Sequence, residues 1–97
     1  MEIVNNTRYN LTINSHTVKP GDYYTVGEMT FNSLPIYSDI GSVEVVTEYC
    51  KRTFRCYGNL KACESKKYKD NDGRPVILIS DTTPQNLYKN GKNVTIK

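Results

Sequence analysis

Acid–base or nucleophilic catalysis needs titratable side chains that converge, and this chain of 97 residues offers few. Its one histidine, His16, follows Ser15. Both lie in a segment of strand character, where neighbours point to opposite faces, so adjacency does not make a nucleophile–base pair. His16 reads as a surface residue near a hairpin end. Glu44 with Glu48, and Asp70 with Asp72, are carboxylate pairs of the kind glycoside chemistry uses. On a charged strand face and in an acidic turn they read as solvated surface. No Gly-x-Ser-x-Gly elbow, phosphate loop or dinucleotide fingerprint occurs. The expectation is a protein that is not an enzyme and carries no cofactor.

Metal chemistry has four candidate ligands, Cys50, Cys56, Cys63 and His16. Structural zinc sites usually take two ligands from a tight knuckle with two to four residues between them, and neither cysteine spacing fits. Asp70-Asn71-Asp72-Gly73 opens like a calcium loop, but the later acidic ligand is out of register at Asp81. No metal is expected. Three cysteines leave an odd thiol under any internal pairing, which does not suit a disulfide-framed secreted module. Cys50 and Cys56 can bridge only if a hairpin sets them opposite each other.

Charge is concentrated rather than large. The total is +3, yet residues 1–50 carry −4, residues 51–69 carry +6 and residues 70–97 carry +1. The basic segment interleaves aromatic residues with its cations. The candidate binding residues are Tyr49, Lys51, Arg52, Phe54, Arg55, Tyr57, Lys66, Lys67 and Tyr68. Positive charge attracts phosphates and aromatic faces stack on unpaired bases, so single-stranded nucleic acid is one candidate ligand. The modest total charge and the acidic first half weigh against it. The same stripe suits an acidic protein partner. Eight tyrosines with two phenylalanines and no tryptophan exceed what a small core absorbs without exposing hydroxyls. Exposed Tyr provides contact area at little entropic cost.

The elements that hold these residues follow a period of two. Tyr9, Leu11 and Ile13 alternate with polar residues, and Asn14-Ser15 divides them from His16 to Lys19, which predicts a hairpin. Pro20-Gly21-Asp22 fits a type II turn. Tyr23 to Val26 resumes as a strand. Met29 to Asn32 and Ile36 to Ser38 read as short extended pieces around Ser33-Leu34-Pro35. Val43 to Cys50 is the clearest strand, with Val43, Val45, Thr47 and Tyr49 on one face, and Thr53 to Tyr57 continues the pattern. Leu60 to Tyr68 lacks strand character and predicts a loop or short helix. Val76 to Ile79 predicts a strand buried on both faces, Asp81 to Gln85 breaks the chain, and Asn90-Gly91 predicts a type I′ hairpin. Residues 1–97 are expected to form one all-β domain, a small antiparallel sandwich or partly open barrel of six to eight short strands.

No run approaches the roughly 20 apolar residues of a membrane span. The first residues lack a basic and an apolar region, so no secretory signal is expected. The sequons at Asn5, Asn10 and Asn93 then read as hairpin composition. The opening stretch, Ile3-Val4-Asn5-Asn6-Thr7 through Leu11-Thr12-Ile13-Asn14 and Val18-Lys19-Pro20-Gly21-Asp22, resembles the start of small all-β accessory proteins of tailed-phage virions. That resemblance covers the first quarter of the chain and implies a virion or other viral protein-binding role. The reading is a non-catalytic protein-binding module, either a virion accessory piece or a small inhibitor of a host protein. Its partner is a host protein or a second copy in a homo-oligomer, in the host cytoplasm or the virion and without a membrane. The alternative is a single-stranded nucleic-acid-binding β-barrel using residues 49–69.

Overall fold

Turn residues divide the chain into hairpins before packing is considered. Asn14 and Ser15 both take positive φ, 50° and 66°, as a two-residue hairpin turn of matching twist requires. They join β2 (Leu11–Ile13) to β3 (His16–Val18), with Leu11 opposite Val18. The type II turn follows as expected: Gly21 has φ 81°, and the Asp22 N–H donates to the Lys19 carbonyl at 2.9 Å. It leads into β4 (Tyr23–Thr25).

The structure, a computed structural model, describes residues 1–27, 32–48, 51–81, 86–89 and 92–95. Met29, Tyr49, Cys50, the 82–85 break and the Asn90-Gly91 turn lie outside them. Among the described residues there are strands and no helix. One sheet has the order β4, β1 (Glu2–Asn6), β9 (Pro75–Ser80), β8 (Lys61–Lys69). The other has the order β3, β2, β5 (Asn32–Ser38), β6 (Gly41–Glu48), β7 (Lys51–Gly58). A separate hairpin of β10 (Asn86–Lys89) and β11 (Lys92–Thr95) sets Lys89 opposite Lys92, and β10 lies against β1. The protein is a small all-β sandwich. Among the described residues no helix is long and apolar enough to cross a membrane.

Three details depart from the pattern read in the sequence. First, residues 61–69 are a strand, not a loop or helix. The β8 edge is half solvated and carries an irregularity between Glu64 and Lys69 that shifts its register on β9, so the alternation is lost. Inside that irregularity the buried Ser65 hydroxyl accepts the N–H groups of Lys67 and Tyr68 at 3.1 and 2.8 Å. Second, β1 and β9 run parallel, Ile3 beside Ile77, within sheets that are otherwise antiparallel. With β1 and β8 included, the described residues form eleven strands, nine of them in the two sheets, rather than six to eight. Third, β5 runs unbroken through Pro35. Its pairing with β2 stops at Ile13–Ile36, so the N–H that Pro35 lacks has no strand to meet.

The core fills the space between the sheets. Ile3, Ile77 and Ile79 from one sheet meet Leu11, Ile13, Ile36, Val43 and Val45 from the other, each at most 1% exposed. Tyr24, Ile40, Phe54 and Ala62 pack at its margin. β9 is buried on both faces, as its four apolar residues predict. Its outer side chains Val76 and Leu78 join Val4 in a second cluster under Tyr23 and Tyr68.

A buried amide ties the sheets together where the chain crosses between them. The fully buried Asn5 side chain donates to the Tyr9 carbonyl at 2.7 Å and the Val18 carbonyl at 2.8 Å. Its Oδ1 accepts the Thr7 N–H at 3.0 Å and lies 2.6 Å from the Thr7 hydroxyl. Its backbone N–H and carbonyl pair with Asp22 and Gly21 at 2.9 and 2.8 Å. Burial and full occupation of its amide also remove Asn5 from the glycan acceptors of the folded chain. Asn5→Asp keeps the shape but removes the amide donor from both carbonyls, leaving Tyr9 only the Thr7 hydroxyl at 3.0 Å, and buries a charge. A loss of about 2–5 kcal/mol is expected in urea unfolding, whereas Asn10→Asp, at an exposed position, should change the midpoint little.

Candidate functional site

β6 crosses the five-stranded sheet between β5 and β7, and its register assigns every neighbour to a face. Val43, Val45 and Thr47 are buried and sit opposite Cys56, Phe54 and Arg52. These β7 residues therefore occupy the face toward the core. Ser42, Glu44 and Val46 sit opposite Tyr57, Arg55 and Thr53, which face outward. The end of the ladder is held by two glycines. Gly58 has φ 68°, and a Cβ there would stand 2.6 Å from the Ile40 carbonyl oxygen; Gly41, opposite it, has no room for a Cβ beside the Tyr57 carbonyl. This close approach sets the backbone that carries Tyr57.

The candidate residues read from the basic segment divide among three surfaces. Arg52 turns inward: its guanidinium donates to Glu64 on β8 at 2.8 Å and to the Met1 sulfur at 3.2 Å. Phe54 packs against the core. Arg55 and Tyr57 face outward on the five-stranded sheet. Tyr68 lies on the far outer face, over Val4, Val76 and Leu78, with the Lys67 ammonium 5.5 Å from its ring centroid. Lys66 is exposed on β8, and Lys51 begins β7 opposite Glu48. Tyr49 lies outside the described residues. The stripe is continuous in sequence and discontinuous in space, because strand alternation and the β8 irregularity send its members in different directions.

What the register does assemble is one uncharged row on the outer face of the five-stranded sheet. Thr17, Thr12, Tyr37, Ser42 and Tyr57 lie opposite one another in turn across all five strands. Tyr37 is 55% and Tyr57 59% exposed. Two strand spacings separate them, about 10 Å. The sequence alone does not single out Tyr37; its partnership with Tyr57 depends on the β5–β6–β7 register, although its place in an alternating segment signals an outward position.

The next row is polar and electrically closed. The Ser33 hydroxyl donates to the Glu44 carboxylate, and Arg55 donates to its other oxygen at 3.2 Å. The Ser33 hydrogen bond first, and Arg55 with it, hold the Glu44 carboxyl below its ordinary value of 4.5 despite some opposing desolvation. Arg55 is thereby committed to Glu44 as well as to solvent.

The other groups with chemical potential are placed apart. His16 stacks on Tyr24, ring centroids 5.3 Å apart, at the opposite side of the sheet from β7. Cys56 and Cys63 are free, exposed thiols, and Cys56 stands opposite Val43; partial desolvation pushes the Cys63 thiol up. Asp70 is a turn-former: its Oδ1 accepts the N–H groups of Asp72 and Arg74 at 3.0 and 2.9 Å. Among the described residues, no group of three or more His, Cys, Asp or Glu is placed to hold a metal ion.

Glu44 gives a pH test of this geometry. Its carboxyl titrates lower in the folded chain than in the unfolded one, so the charged form favours folding above the ordinary value. That contribution is lost as pH falls through the lowered folded value. Ser33→Ala should move the Glu44 titration, followed by NMR of the carboxyl carbon, upward toward 4.5; an unmoved titration would mean that the hydroxyl is not its partner.

Comparison of the chain with protein-family models, curated proteins and solved structures found no match.

Proposed function

We propose that the chain is a non-catalytic protein-binding module whose contact surface is the outer face of the five-stranded sheet, with Tyr37 and Tyr57 as anchors. The observation that carries this reading is the uncharged row spanning the sheet, with its two largest side chains more than half exposed. Tyrosines on a rigid sheet lose little freedom on binding and combine apolar area with a hydroxyl. The exposed lysines of β8 belong to the edge of the facing sheet, on the flank that it shares with β7. They steer an acidic partner toward it, adding more to encounter rate than to final affinity. In the viral setting implied by the opening residues, the partner is a virion component or a host protein that the module occupies.

The division of the basic segment weighs against the nucleic-acid alternative. A base-stacking groove needs cations and aromatic faces on one surface, whereas Arg52 and Phe54 turn inward and Tyr68 lies on the far face. The deciding experiment compares wild-type protein with the Tyr37→Ala, Tyr57→Ala double variant. Captured proteins from the host are identified and their affinities measured by calorimetry. The double variant should weaken the interaction by at least about tenfold, since such anchors typically contribute about 1–2 kcal/mol or more each. Its melting temperature should stay nearly unchanged, because both rings are exposed. Oligothymidine binding with steep salt dependence, abolished by changing Arg52, Arg55, Lys66 and Lys67 to Ser, would overturn the proposal in favour of single-stranded nucleic acid.

A further inference from the structure

The two sheets end in four edges, β3, β4, β7 and β8, and these differ in their capacity to take another strand. β3 and β4 are three residues each, too short to template a stable pairing. β8 is longer but carries the register irregularity after Glu64 and is rich in lysine, features that discourage edge pairing. β7 is eight residues long and keeps one unbroken register with β6 from Lys51 to Gly58.

Its hydrogen-bonding parity identifies the available groups. The Asn59 N–H donates to the Ile40 carbonyl at 3.2 Å, just beyond the Gly58–Gly41 pair. Alternation from there turns the backbone groups of Thr53, Arg55 and Tyr57 toward β6 and those of Arg52, Phe54 and Cys56 toward the edge, where among the described residues no strand pairs with them. The inner face is also unfinished at this edge. Cys56 is exposed although Val43 opposite it is 1% exposed, and Phe54 is only partly buried.

We propose that β7 accepts an extended segment of an acidic partner protein as a sixth strand of this sheet. The inference rests on the protein-binding reading above and specifies how the partner joins. The backbone groups of Arg52, Phe54 and Cys56 supply the ladder. Side chains of the added strand that point inward meet Phe54 and Cys56 and are apolar. Those that point outward lie beside Tyr57 and the solvent-exposed Arg55, and are acidic. A second copy of β7 is a poor occupant, because Lys51, Arg52 and Arg55 have no acidic residue on the same strand to meet them.

The probe is a synthetic peptide of alternating valine and glutamate, about eight residues long to match β7, with a valine–lysine peptide as control. Amide hydrogen exchange of the free protein should be fast at Arg52, Phe54 and Cys56. Saturating valine–glutamate peptide should slow these three by at least about tenfold, with little change at Thr53, Arg55 and Tyr57, which are already in the ladder. Cys56→Pro removes one open-edge donor, and it should weaken peptide binding by at least about tenfold while leaving the core amides of Ile77 and Ile79 protected. The lysine peptide should not protect the edge. Absence of protection at saturation, protection by self-association without peptide, or equal binding by Cys56→Pro would overturn the inference. If a captured partner depends on Tyr37 and Tyr57 but leaves the edge amides unprotected, the outer-face reading stands and strand addition fails. If a partner protects the edge and is indifferent to both tyrosines, strand addition stands and the outer-face reading fails.

Discussion

The amide of Asn5 is the constraint on which the sandwich most depends. Two sheets facing each other need the chain to cross between them, and a crossing exposes backbone groups that no ladder satisfies. Here both passages at one end, from β1 into β2 and from β3 toward β4, are gathered on a single side chain. One NH₂ group serves the Tyr9 and Val18 carbonyls, and one oxygen serves Thr7. An apolar residue at this place would bury well and still strip the crossings of their amide bonds to Tyr9, Val18 and Thr7. The Asn5 network is therefore a fixed point at which the two sheets are joined.

The basic middle of the sequence acquires a structural meaning from where it falls. β7 and β8 close opposite sheets on the same flank, and neither pairs with the other. Cations on such edges keep them from joining identical edges on other molecules, which answers much of the charge asymmetry without a ligand. Arg52 joins the two strands through Glu64, and Arg55 is held by Glu44. The charge left for partners is carried by the exposed lysines of β8 on the facing sheet and by the solvent-facing side of Arg55.

The strands and turns were legible wherever local chemistry determined them. The Asn14-Ser15 and Pro20-Gly21 turns, the shared face of Val43, Val45 and Thr47, and the doubly buried Val76 to Ile79 all follow from turn preference, period two or an unbroken apolar run. Leu60 to Tyr68 was opaque because it borders solvent along one side and slips its register, so burial no longer alternates. Pro35 concealed a continuous strand, since its tolerance depends on where a different strand stops. The pairing of Tyr37 with Tyr57 required three strands to be in register, which is tertiary information. Likewise, the cations and aromatics of residues 49–69 are visible as a composition, but nothing local specifies that Arg52 and Arg55 leave their strand on opposite sides.

The parallel pairing of β1 with β9 joins residues 74 positions apart, Ile3 with Ile77. Such a contact returns its energy only after a long loop has closed, which makes assembly slow compared with hairpin formation. On the ribosome, the hairpins of residues 11–58 can zip as they emerge, but the facing sheet has no centre until residues 75–80 are released. Until then one greasy surface of the nascent chain stays uncovered, and the interval is a natural window for a chaperone.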